Sequence, residues 1–315
     1  MIALIEVSHL SKHYPARDGK GLVKAVSDVS LVVEAGHTLG IVGESGCGKS
    51  TLARLMVRLV EPTSGEILLE GENLNAIAGG ALRRRRRDIQ IVFQDPYASL
   101  DPRMKVADII AEPLDIHSIG SEAERRAKVL ELLDLVGLDR DAAAKYPHEF
   151  SGGQRQRIGI ARAIALEPKL VVLDEPVSAL DVSIQSQILN LLIDLKKRLG
   201  FSYIFISHDL SVIEHVSDDV AVMYLGQIVE YGEGTEVLRA PFHPYTQALV
   251  SAIPQIDPTL KKQRIILSGD PPNPENIPPG CPFHPRCKQA MDICRDQPPK
   301  LELSQGRMVA CHLYQ

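Results

Sequence analysis

The spacing of apolar residues changes several times along the chain, and each change marks an element. Residues 1–36 carry short alternating or apolar runs, "IEVSHL" and "VSLVVEAG" among them, joined by the Gly-containing loop "PARDGKG". Period-two runs separated by turn residues predict an antiparallel sheet. "HTLGIVG" then reads as a continuous buried strand, and behind it Leu52, Leu55, Met56 and Leu59 recur at helical spacing. The result is a strand, a loop and a helix.

A mostly helical section is expected from about Asp95. In it, "SEAERRAKVLELLDLVG" opens on the capping-box pair Ser121 and Glu124, closes on Gly137, and sets Leu130, Leu133 and Val136 on one face. Next, "LVVLDE" is a buried strand, "DVSIQSQILNLLIDLKKRLG" a helix ending at Gly200, and "SYIFISH" another buried strand. Strands alternating with helices imply a parallel sheet with both faces covered. The character changes from about residue 254. "GDPPNPENIPPGCPFHP" holds seven prolines and reads as a stiff, extended connector to a small tail. No internal repeat is found. The one charge run, Arg83 to Arg87, reads as a solvated helix face before the strand "IQIVF".

Charge and composition narrow the function. The 315 residues include 35 Lys+Arg against 40 Asp+Glu and no Trp. This balance offers neither a basic field nor a stacking platform for nucleic acid. "MIALIEVSHLSKHYP" lacks the features of a secretory signal, so a cytosolic protein is expected. No apolar run approaches the roughly 20 residues that span a bilayer, so any membrane role is expected to come through a partner.

The chemistry centres on "GESGCGKST", residues 43–51, which fits G-x-x-x-x-G-K-[ST] between a strand and a helix. Gly43, Gly46 and Gly48, with Ser45, let backbone N–H groups turn toward phosphate oxygens, and the helix N-terminus adds positive dipole. Lys49 brings a full charge to the β and γ positions, Ser50 completes the motif and offers a hydroxyl to Mg²⁺, and Thr51 after it is a further ATP-binding candidate. Cys47 reads as a small filler residue in the loop. Asp174 and Glu175 end an apolar strand, where open α/β sheets gather ligands. Asp174 is expected to hold Mg²⁺ and Glu175 to orient or deprotonate the attacking water. His208 ends a neighbouring strand, within expected reach of the γ-phosphate. "FSGGQRQRIGIARAIA", residues 150–165, starts a second helix with Ser151, Gly152, Gly153 and Gln154, another anion-binding end. Two chains set head to tail, each capping the other's nucleotide, account for both.

These motifs together resemble the ATP-binding cassette family. The match includes the phosphate loop as Walker A, Gln94 of "VFQDP" as the Q-loop, "SGGQ" as the signature, "LVVLDEP" as Walker B, "SALD" ending at Asp181 as the D-loop, and His208 as the switch histidine. Tyr14 fits the aromatic that stacks on adenine. Phe150 departs from the leucine commonest before the signature serine. The resemblance implies a P-loop NTPase-type α/β nucleotide-binding domain with a mixed sheet core, an antiparallel β subdomain and a helical subdomain. The ATPase domain is expected over 1–253, its helical part over about 95–165, with a cysteine-containing domain over 254–315. Catalytic roles fall to Glu175, His208, Lys49 and Gln94, and Mg²⁺ to Ser50, Gln94 and Asp174.

Within that family, "FQDPYASLDPRMKV", "PFHPYTQALVSAIP" and "PPNPENIPPGCPFHPRC" resemble the ATPase subunits of dipeptide and oligopeptide importers. Such subunits are peripheral on the cytoplasmic face of the inner membrane. The implied partners are a second, related ATPase subunit, two integral permeases and an extracytoplasmic peptide-binding protein. Related cassettes serve nickel, glutathione or sugars; a non-transport cassette acting on nucleic acid and an iron-sulfur sensing protein are the rival classes.

Cys281, Cys287, Cys294 and Cys311 give C-x5-C-x6-C-x16-C. In a reducing compartment disulfides are the weaker reading. Zinc sites usually show tighter pairs, whereas four thiolates at wide spacing suit a 4Fe-4S cluster. The importer resemblance points the same way. Zinc and unligated thiols stay open, and His284 or His312 could replace one ligand.

Overall fold

A computed structural model describes residues 3–16, 21–253 and 264–315. Most of the "PARDGKG" loop and the expected start of the connector at residue 254 lie outside the described residues. The described residues form two compact units, a first drawn from 3–16, 21–33, 37–75, 205–253 and 264–315 and a second made of 34–36 and 76–204.

In the first unit, the strands Leu22–Glu34, Ala3–Pro15, Ser64–Leu69 and Glu72–Asn73 lie side by side in that order. Ala3–Pro15 runs antiparallel to Ser64–Leu69 with Ile5 opposite Leu69 and Val7 opposite Ile67. All four of these side chains are buried, while Ser8, opposite Glu66, is exposed. A one-residue slip would turn that apolar set to water, so the pattern fixes the register.

The same unit holds the strand Thr38–Val42, buried throughout and parallel to Asp219–Tyr224. Asp219–Tyr224 pairs in turn antiparallel with Gln227–Glu233. The tail joins here. Arg307–Val309 adds antiparallel to Gln227–Glu233, pairing Glu230 with Val309 and Tyr231 with Met308, and Glu302–Ser304 follows it. A buried ion pair fastens this edge: Arg307 Nη1 lies 3.2 Å from Glu230 Oε1, with 5% and 0% side-chain exposure. Glu230 also accepts the backbone N–H groups of Phe242 and His243, each at 2.9 Å. Burial raises the Glu230 carboxyl above its usual range despite these donors.

The second unit is built on two parallel strands, Ile89–Val92 and Leu170–Asp174. Around them pack the helices Val106–Ile116, Glu122–Leu135, Gly152–Ile164 and Val182–Leu199. The Ser121–Glu124 capping box is present, and Gly200 closes the last helix in the left-handed conformation at φ 71°. The chain passes between units within the buried strand Ser202–Ser207. No helix among the described residues is long and apolar enough to cross a membrane.

Three sequence expectations change in detail. The helix behind the phosphate loop stops at Met56, so Leu59 falls outside it and is half exposed. Arg58 at φ 55° turns the chain there. In Glu122–Leu135 the buried set is Val129, Leu132 and Leu133, and Leu130 is only half-buried. In the arginine run Arg83, Arg84 and Arg87 are exposed, whereas Arg85 and Arg86 are half-buried and Arg85 pairs with Asp88 at 2.6 Å.

Candidate nucleotide site

The phosphate loop leaves the buried strand Thr38–Val42 and enters the helix Lys49–Met56. Two glycines are required by contact. A Cβ at Gly43 would stand 2.1 Å from the Met223 carbonyl oxygen, and one at Gly48, φ 108°, would stand 2.0 Å from that of Ala25. The loop is therefore pressed against backbone on its inner side, with Ser45 and Gly46 exposed. Lys49 is 5% exposed, and its Nζ donates to the carbonyls of Gly43 at 2.7 Å and Glu44 at 2.9 Å. Its ammonium is thus held inside the curl of the loop. Cys47 is buried 3.8 Å from that Nζ, and burial raises its thiol, consistent with an inert filler. Ser50 and Thr51 are half-buried in the first helical turn.

Sequence reasoning missed the contacts around Glu44. Its backbone N–H donates to Tyr245 Oη at 2.8 Å, and its carboxylate receives a fork from Arg286, Nη1 to Oε2 at 2.7 Å and Nη2 to Oε1 at 3.0 Å. Arg286 follows Glu44 by 242 residues, so no local pattern could pair them.

Tyr14 is half-buried near the end of its strand, with Lys12 Nζ 5.1 Å from the ring centroid. His208 is exposed directly after Ser202–Ser207. Its backbone is fixed by the next residue: Asp209 donates its N–H to Ser207 Oγ at 2.9 Å and caps Leu210–Val216 by accepting from Ser211.

In the second unit, parallel pairing puts Val92 opposite Leu173. Gln94 and Glu175, each two residues further on, therefore emerge at the same strand end. Gln94 Nε2 donates to Glu175 Oε2 at 3.0 Å. Asp174 is 3% exposed at the end of its strand. Glu175 sits at φ 48°, a left-handed conformation that costs a non-glycine residue about 1 kcal/mol or more. Ser178 supports that turn by donating both its N–H and its hydroxyl to the Glu175 carbonyl.

Ser151 is the N-cap of Gly152–Ile164 in a reciprocal capping box with Gln154. The Gln154 N–H donates to Ser151 Oγ at 3.4 Å, and the Ser151 N–H donates to Gln154 Oε1 at 3.0 Å. The helix start is thus pre-set and exposed, with N–H groups that lack intrahelical partners. A Cβ at Gly153 would stand 2.5 Å from Ile184 Cγ2, and one at Gly152 3.3 Å from Leu180 Cδ2. Phe150 is buried, an apolar anchor as expected. Asp181 is exposed at the start of Val182–Leu199.

All four tail cysteines are free thiols, Cys287 half-buried and the others buried. Burial pushes Cys281 up to about 11 and raises Cys287 and Cys311, and the thiols also act on one another. Among the described residues, however, no three His, Cys, Asp or Glu side chains are placed to hold one metal ion. This arrangement gives no support to the expected 4Fe-4S cluster or to its zinc alternative. His284 Nδ1 bonds the Cys281 carbonyl and His312 Nε2 that of Gln297, each at 2.9 Å, so these two nitrogens are turned to backbone.

Comparison with known proteins places this geometry. Residues 26–178 match the ABC transporter family, and residues 229–294 match the oligopeptide/dipeptide transporter C-terminal region. The chain is 51% identical to the dipeptide transport ATP-binding protein DppF of Escherichia coli over 98% of this chain and 93% of that one. It is 51% identical to the oligopeptide transport ATP-binding protein AppF of Bacillus subtilis over 99% and 97%. A dimeric ATP-binding cassette solved in a post-hydrolysis state with ADP and phosphate shares 30% identity at TM-score 0.67, covering 73% of this chain and 98% of that one. The chain belongs to the ABC transporter family, as an α/β ATP-hydrolysing cassette.

Proposed function

We propose that this chain is the ATPase subunit that powers import of di- or oligopeptides. The carrying observation is the match of residues 229–294 to the oligopeptide/dipeptide transporter C-terminal region, within whole-length likeness to peptide-transport ATPases. ATP would place its phosphates in the 43–51 loop and its adenine on Tyr14. Mg²⁺, held by Ser50, Asp174 and Gln94, would supply charge neutralisation at the phosphates. Glu175 orients or deprotonates water, Gln94 fixes the Glu175 carboxylate, and His208 contacts the γ-phosphate. Ser151, Gly152, Gly153, Gln154 and Asp181 meet the nucleotide of a partner cassette, so ATP favours the closed pair and hydrolysis loosens it. In support, the 30%-identical cassette is a dimer with ADP and phosphate bound.

The partners we assign are a second, related ATPase subunit, two membrane permeases and an extracytoplasmic binding protein, with this chain peripheral on the cytoplasmic face. The ATPase domain is assigned to 1–253, with a helical subdomain at about 95–165, and the cysteine-bearing domain to 254–315. The four thiols are assigned as ligands of a 4Fe-4S cluster. In support, a cluster needs four cysteines and tolerates wide spacing between them, and these four thiols are free, with Cys287, Cys294 and Cys311 each raising Cys281. Anaerobic reconstitution should give brown protein in the wild type and colourless protein in Cys281→Ser; colourless wild type refutes the cluster.

Uptake of labelled dipeptide by cells lacking the gene tests the cargo. Wild-type chain should restore it and Lys49→Ala should not. Restored uptake of nickel, glutathione or a sugar in place of peptide would refute the peptide reading.

A further inference from the structure

Glu44 places a carboxylate beside the residues read as binding phosphate, which is electrostatically wrong for a loop meant to hold ATP. The structure answers that charge from the tail. Arg286 belongs to the 3-10 turn His284–Arg286, enclosed between Cys281 and Cys287. Its side chain is 6% exposed against 27% for Glu44, so a buried guanidinium meets a half-buried carboxylate, geometrically matched as a fork.

The turn carrying Arg286 is itself anchored. Phe283 is 2% exposed, with ring centroids 5.3 Å from Tyr224, 5.5 Å from Tyr245 and 5.6 Å from His243. Arg286 lies 6.0 Å from the Tyr224 ring centroid, and Tyr245 accepts the Glu44 N–H. The aromatic cluster therefore fixes both the loop's backbone and the arginine that neutralises its side chain. Lys49 already donates to the Glu44 carbonyl at 2.9 Å. A Glu44 carboxylate released from Arg286 would be free to compete with phosphate for that ammonium.

We propose that Arg286 is a positioning residue for ATP binding: it holds the Glu44 carboxylate away from Lys49 and the phosphates, making the cysteine-bearing tail a working part of the nucleotide site. This rests on the reading of residues 43–51 as the phosphate loop.

Equilibrium binding of Mg-ATP to the full-length chain tests it, with steady-state hydrolysis as a second readout. Arg286→Ala is expected to weaken ATP binding about tenfold, with a smaller fall in kcat at saturating ATP. Arg286→Gln serves the same purpose if Arg286→Ala does not fold. The decisive variant is Arg286→Ala with Glu44→Gln, which should bind ATP more tightly than Arg286→Ala because the competing charge has gone. A double variant no better than the single one would show that Arg286 acts only by packing, and would overturn the proposal. Undiminished affinity in folded Arg286→Ala, with affinity lost in Lys49→Ala, would overturn it while leaving the loop assignment intact. Undiminished affinity in Lys49→Ala would remove the loop assignment and the proposal with it.

Discussion

Gln94 Nε2 stands 3.0 Å from Glu175 Oε2, a side-chain hydrogen bond that joins the ends of two adjacent parallel strands. The bond orients the Glu175 carboxylate through its Oε2. A hydrogen bond to a charged group contributes about 1.5–3 kcal/mol. Gln94→Ala is therefore expected to slow ATP turnover at saturating ATP by about tenfold or more, measured by phosphate release. A turnover equal to wild type would remove Gln94 from its orienting role.

Ser151 makes a prediction that separates helix stability from chemistry. Ser151→Ala removes the acceptor of the Gln154 N–H and should cost about 1 kcal/mol in unfolding free energy, with ATP binding to the isolated chain retained. Ser151→Arg places a long cation where the partner's phosphates are expected and should abolish transport while sparing that binding. Loss of nucleotide binding by the isolated Ser151→Arg chain would contradict the shared-site arrangement.

Much of this was legible before the structure. A Gly-rich loop between a buried strand and a helix, and an acidic pair at a strand end, are local patterns, so Lys49, Asp174 and Glu175 stand out as candidates from spacing alone. The capping box at Ser121 followed from the same kind of reading. Contacts between distant segments have no such pattern. Nothing in "GES" shows that Glu44 needs Arg286, and nothing in the tail shows that Arg307 will neutralise Glu230 and extend a sheet. Leu59 was misplaced because helical periodicity continues past a residue that turns the chain, and Arg58 carries no sequence signal for positive φ.

His243 supplies a pH test. It is 1% exposed, and burial lowers it to about 3, so its folded form stays neutral while the unfolded form protonates near 6.5. Its Nδ1 accepts the Tyr245 N–H at 3.1 Å, which caps Pro244–Ser251. Stability from this group is therefore fully present above about 6.5 and lost as pH falls toward 3, at about 1.4 kcal/mol per pH unit. Glu230, raised by burial, has the opposite sign and gains stability as pH falls through its folded value. Comparison with His243→Asn isolates the histidine, since Asn keeps a capping acceptor but does not titrate. Unfolding measured by denaturant between pH 7 and pH 4.5 should show a steeper acid loss in wild type; parallel curves would contradict the assignment.

The central claim is that this chain hydrolyses ATP with Glu175 acting on the attacking water. Parallel measurement of Mg-ATP affinity and ATP turnover in wild type and Glu175→Gln tests it most directly. The variant should bind ATP as wild type does and turn it over slower by about a hundredfold or more. Near-normal turnover in Glu175→Gln would contradict the account.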